Sequence, residues 1–65
     1  MLVAKIKSGT PESYLTAGKE YPVIERFAED GIFTFLDDEN EMCLCGETDC
    51  YHLNGGSWEL IEKGE

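Results

Sequence analysis

This chain has no long apolar pattern of helical period. Its apolar stretches are short, and each stops at a turn signal: Ser8-Gly9-Thr10-Pro11, Thr16-Ala17-Gly18, Glu29-Asp30-Gly31, Asp37 to Glu41, and Asn54-Gly55-Gly56-Ser57. Short strands joined by tight turns, with no room for a helix of any length, imply an antiparallel sheet that must curl on itself to hide its edges. In 65 residues the economical form is a five-stranded SH3-like barrel in which the first and last strands meet. An OB-like barrel usually needs more chain. The expected fold class is therefore all-β, one domain over residues 1–65. By size scaling such a domain buries only about 60% of the surface its unfolded chain exposes.

Taken in order, Leu2 to Lys7 reads as a first strand, with Leu2, Ala4 and Ile6 on one side and Val3, Lys5 and Lys7 on the other. Thr10-Pro11-Glu12 could cap one helical turn, but the segment is too short for more, and a loop is expected through about Ala17. A second strand enters at Tyr21 and runs to Ala28, with Pro22 near its start, where a missing N–H costs little. If Glu29-Asp30-Gly31 is a three-residue hairpin loop with Gly31 left-handed, Phe27 faces Phe33, Glu25 faces Phe35 and Ile24 faces Leu36. Tyr21, Val23, Phe27, Phe33 and Phe35 would then form the main core wall. A two-residue Asp-Gly turn would split the phenylalanines between faces. Asp37-Asp38-Glu39-Asn40-Glu41 reads as a solvated second turn; it lacks the alternating ligands, central glycine and distal glutamate of a calcium loop. Trp58, Leu60 and Ile61 supply a short closing strand.

The richest chemistry lies between Met42 and Trp58, which hold all three cysteines, the one histidine and the one tryptophan. If Met42 to Cys45 and Cys50 to Leu53 pair around Gly46-Glu47-Thr48-Asp49, then Cys45 faces Cys50 and Cys43 faces His52, with all four side chains on one face. Thiolate and imidazole are the usual ligands of structural zinc, so Cys43, Cys45, Cys50 and His52 are candidate metal ligands. The spacing opposes it: on a flat strand, residues two apart hold their sulfurs roughly 6 to 7 Å apart, and closing on one ion needs a bend. Three other readings stay open: a core of small hydrophobic thiols, a reactive thiol in a redox role, and a Cys45–Cys50 disulfide, which would leave one cysteine unpaired. No cofactor is called for unless one structural zinc sits there.

Charge divides the chain. Residues 1–27 carry four bases and three acids, whereas residues 28–65 carry eleven acids against Lys63 alone, for a net charge of −9. The acidic half lacks the basic footprint that phosphate requires, so direct nucleic-acid binding and adsorption to an anionic membrane are excluded. A basic protein surface, in contrast, would be steered towards it. Lys5 cuts off Met1-Leu2-Val3-Ala4, leaving no apolar segment long enough for a signal peptide or span, so the expected location is the cytoplasm.

The run Tyr14-Leu15-Thr16-Ala17-Gly18-Lys19-Glu20-Tyr21-Pro22-Val23-Ile24, the hairpin ending in Asp37-Asp38 and the closing Trp58-Glu59-Leu60 resemble the small SH3-like β-barrel proteins encoded by bacteriophages and prophages. The likeness spans roughly residues 1–61. It implies phage origin, residence in the bacterial host and a binding role rather than a reaction, and it assigns no role to the cysteines.

The expectation that follows is a small acidic protein-binding module, a phage or prophage accessory factor acting on a host or phage protein, with mimicry of nucleic-acid charge as its sharper form. Asp37, Asp38, Glu39, Glu41, Glu47 and Asp49 are the candidate binding residues, and the partner is expected to be basic. The alternative is a zinc-stabilised β-module. An enzyme is not expected: His52 could serve Cys43 as a base, but no third orienting residue or oxyanion-forming glycine turn accompanies them. An exposed barrel edge would permit dimers, and neither Pro22 nor the charges decide the oligomeric state.

Overall fold

In the computed structural model, which describes residues 1–64, five strands form one antiparallel sheet: β1 (Leu2–Ile6), β2 (Glu20–Phe27), β3 (Ile32–Leu36), β4 (Met42–Gly46) and β5 (Trp58–Glu62). Their order is β4-β3-β2-β1-β5, curled into a small SH3-like barrel. The first and last strands meet as expected, in register from Leu2 opposite Glu62 to Ile6 opposite Trp58. The Met1 ammonium reinforces that seam by reaching the Glu62 carboxylate at 3.2 Å and the Lys63 carbonyl at 2.9 Å.

β2 joins the two halves of the sheet. Its first residues pair with β1, ending at Pro22 opposite Val3, and Val23 opens the pairing with β3. Pro22 thus sits where the strand changes partners, a place at which a missing ladder donor is tolerated. Two residues later the register breaks. Val23 faces Phe35, but Glu25 faces Thr34, so Ile24 is the extra residue of a β-bulge.

The bulge corrects the expected register. Phe27 pairs with Ile32 rather than Phe33, and Arg26 takes the place opposite Phe33, with a four-residue turn, Ala28 to Gly31, in place of three. The turn is closed by the Asp30 N–H to the Phe27 carbonyl at 3.0 Å, with Gly31 left-handed at φ 66°. One inserted residue turns every later side chain of a strand to the opposite face. Phe27 therefore leaves the core wall and lies on the outer face of the sheet, 39% exposed, while Arg26 reaches Glu47 at 3.3 Å.

The core is aromatic. Tyr21, Phe33, Phe35 and Trp58 are buried and in mutual contact, with ring centroids 5.1 Å apart for Tyr21–Phe35 and Phe35–Trp58 and 5.6 Å for Phe33–Phe35 and Phe33–Trp58. Full burial of each phenylalanine is worth about 1.5–3 kcal/mol against exposure. Trp58 Nε1 is buried without a hydrogen-bond partner, a cost that this packing offsets. Leu15, Leu53 and the three cysteines complete the cluster. Ala4 faces it, and Val3, also buried, lies on the other side of β1 between its cross-strand partners Pro22 and Ile61.

The segment after β4 departs from expectation. Cys50 to Leu53 does not pair back onto Met42 to Cys45. Cys50 instead forms an isolated bridge with Gly56, and Tyr51–Leu53 is a single 3-10 turn. Left-handed Asn54 (φ 54°) and Gly55 (φ 94°) close these residues into their own loop, and the Cys50 N–H donates to the Gly56 carbonyl at 2.8 Å. The loop then packs on the 7–12 segment, where the Thr10 N–H meets the Leu53 carbonyl at 2.9 Å and Asn54 Nδ2 meets the Thr10 carbonyl at 2.7 Å. Gly9 and Gly56 are in backbone contact here. A Cβ on Gly56 would run into the Ser8 carbonyl and lie 2.6 Å from the Gly9 Cα. A second hairpin strand could not satisfy that junction.

Candidate functional site

Without the cysteine hairpin, the four candidate metal ligands no longer share one strand face. Cys43 and Cys45 point into the core from alternate positions of β4, and Cys50 meets them from the following loop; all three are buried and free. His52 lies in the 3-10 turn and faces elsewhere. Its Nδ1 is hydrogen-bonded to Tyr14 Oη at 2.6 Å, and its ring stacks on Tyr51 at 4.1 Å between centroids. Among the described residues no three His, Cys, Asp or Glu side chains are grouped as metal ligands. Burial, with a hydrogen bond donated by Sγ to Asp37 Oδ2 at 3.5 Å, pushes the Cys43 thiol up to about 11. Burial and the neighbouring Cys50 thiol push Cys45 higher still. Thiols held protonated are poor nucleophiles, and the three cysteines pack within the hydrophobic cluster.

The six candidate binding carboxylates fall into two groups. Asp37 organises its own turn: Oδ1 accepts the N–H groups of Glu39 and Glu41, each at 2.9 Å. Asp38 ties that turn to the 14–21 segment, accepting from Lys19 Nζ at 2.7 Å, Thr16 Oγ1 at 2.6 Å and Tyr21 Oη at 3.0 Å. Lys19 above all, then Thr16 and Tyr21, hold the Asp38 carboxyl below its ordinary value. Glu47 is engaged by Arg26. These three carboxylates are parts of the scaffold. Glu39, Glu41 and Asp49 are exposed and carry no ion pair among the described residues.

The surface that sequence reasoning missed is apolar. On the outer face of β2, β3 and β4, Ile24 (53% exposed), Phe27, Leu36 (41%), Met42 (64%) and Leu44 (53%) lie in water. A shallow groove of about 630 Å³, lined by Phe27, Asp30, Ile32, Thr34, Met42 and Leu44, runs through this face. Scattered exposed apolar residues are ordinary; here five of them lie on three neighbouring strands. A signal for it exists in the sequence. Ile32-Phe33-Thr34-Phe35-Leu36 and Met42-Cys43-Leu44-Cys45 are almost continuously apolar, the pattern of strands covered on both faces.

No protein-family model, curated protein or solved structure matches the chain. No helix among the described residues is long and apolar enough to cross a membrane.

Proposed function

We propose that this chain is a small acidic protein-binding module of the accessory kind found in bacteriophages and prophages, and that its outer β2–β3–β4 face takes a basic protein of the host or phage. The observation that carries the reading is that apolar face: five large side chains, 39% to 64% exposed, on three strands, where no other described part of the chain covers them. Charge supports the choice of partner. Between Arg26 and Lys63 the sequence has no lysine or arginine, so the field around the face is negative. Such a field speeds encounter with a basic surface, and the apolar contact slows its release.

Affinity capture with the native chain and with Phe27→Ser/Leu44→Ser, at low and raised salt, tests this. The expected result is basic proteins retained by the native chain, lost with the double variant, and weakened as salt screens the approach. Capture that is equal for both chains and indifferent to salt would overturn the proposal.

A further inference from the structure

We propose, on the footing of that protein-binding reading, that the free edge of β4 docks an extended segment of the basic partner as a sixth antiparallel strand.

Among the described residues β4 pairs with β3 on one side and with no strand on the other. Two bonds that continue the β3–β4 ladder past its ends fix which backbone groups face outward. They are the Glu47 N–H to the Gly31 carbonyl at 2.8 Å and the Asp37 N–H to the Glu41 carbonyl at 2.9 Å. Antiparallel ladders alternate between bonded and non-bonded pairs, so with 31/47 and 37/41 bonded, 33/45 and 35/43 are bonded too. Met42, Leu44 and Gly46 then turn their N–H and C=O groups away from β3. No other backbone hydrogen bond among the described residues reaches them. The open stretch ends after Gly46, because the Glu47 carbonyl is taken by the Trp58 N–H at 2.9 Å. Met42 and Leu44, which offer these groups, also carry their side chains on the apolar outer face. An added strand would therefore gain main-chain bonds and extend the apolar face in one step.

Charge decides the occupant. If two copies paired edge to edge about Leu44, Glu41 of one would stand opposite Glu47 of the other, which keeps its own Arg26 at 3.3 Å, and the exposed Glu39 and Asp49 lie in the turns just beyond. Like charges opposite across strands are destabilising, so this acidic edge disfavours its own copy. The same positions favour a foreign strand with apolar residues opposite Met42, Leu44 and Gly46 and with lysine or arginine three and five places either side of its centre.

A peptide of that pattern, Lys-Ser-Lys-Val-Thr-Val-Thr-Val-Lys-Ser-Lys, serves as the probe against the isotope-labelled chain. Hydrogen exchange at the Leu44 amide is expected to slow on binding. N-methylation of the central valine removes a bond to the Leu44 carbonyl and should weaken binding about tenfold, while N-methylation of an adjacent threonine, whose N–H points away from β4, should leave it unchanged. Replacing the lysines by glutamate should abolish binding. Leu44→Pro removes an outward donor and no ladder bond, and, once its fold is verified by circular dichroism, should lose the peptide.

Binding that is insensitive to backbone methylation and leaves the Leu44 amide unprotected would overturn strand addition while leaving the outer-face reading intact. Failure of every peptide to bind at low salt would also overturn it. So would a dimer of the chain alone at neutral pH that protects Leu44, because the edge would then be filled by a second copy.

Discussion

Replacing Tyr21 by phenylalanine should separate the role of Asp38 in the scaffold from any role in binding. The Tyr21 ring is buried against Phe35 and Trp58, and phenylalanine keeps that packing. What it deletes is the hydroxyl that accepts the Thr16 N–H at 2.7 Å and donates to Asp38 Oδ1 at 3.0 Å. A stranded donor costs about 1–3 kcal/mol. Thr16 is exposed, so water reaches it from one side, and the lower part of that range, about 1–1.5 kcal/mol, applies. A domain of this size loses about 4–8 °C per kcal/mol, so Tm should fall by about 4–12 °C. That is a substantial share of a total stability of roughly 3–10 kcal/mol expected at this length.

Thermal melts followed by circular dichroism at a series of pH values give the measurement. The Asp38 carboxyl is held below its ordinary value, chiefly by Lys19, then by Thr16 and Tyr21. A depressed carboxyl contributes stability that is present above its unfolded value of about 3.9 and is lost as pH falls through the lower folded value. The Tyr21 bond to the ionised carboxylate belongs to that contribution. The gap between native chain and variant should therefore be widest near neutrality and narrow in acid. A Tm change below about 2 °C, or a gap that widens on acidification, would refute this account of the network.

Gly56→Ala should destabilise by about 1–3 kcal/mol, because its Cβ meets backbone on the Ser8–Gly9 side; an unchanged denaturation midpoint would show that the junction gives way. A zinc chelator should leave Tm unchanged, since His52 is held by Tyr14 and no three ligand side chains are grouped among the described residues; a fall reversed by added zinc would show the ligands assembling. Phe33→Ala should cost about 3–5 kcal/mol, and Leu44→Thr, on the outer face of the adjoining strand, about 0.5 kcal/mol, so comparable losses in urea titrations would mean that the outer face stabilises the fold.

The architecture was legible because its signals are local. Turn residues stand between every pair of strands, and the apolar runs are of strand length, so strand number and antiparallel connection follow from reading the chain in order. Register was not legible at one point. Tyr21, Val23, Glu25 and Phe27 alternate without interruption, and nothing local to Ile24 announces that it is the extra residue. The bulge takes Phe27 off the inner face, where Phe33 and Phe35 from the neighbouring strand pack into the core, a relation between strands that no local stretch of β2 records. The cysteine segment misled for a related reason. Its alternation suits a strand, but the close approach of Gly9 and Gly56, far apart in sequence, closes residues 50–56 into a loop of their own.

The candidate site shows where a reading by residue type fails. Carboxylates drew attention because they are many, yet Asp37, Asp38 and Glu47 are spent inside the fold, and their partners Thr16, Lys19, Tyr21 and Arg26 come from earlier in the chain. What remains for a partner is a relation between elements. β3 and β4 are apolar on both faces, but a chain of 65 residues with no α-helix among those described leaves one face uncovered. The inner face takes Phe33, Phe35, Cys43 and Cys45; the outer face keeps Leu36, Met42 and Leu44 in water. A lone domain would be better served by threonine or lysine at those positions, as exposed strand faces usually are. Their apolar character, beside an edge of β4 left unpaired among the described residues, is what the strand-addition proposal rests on, and barrel stability alone gives no reason for it.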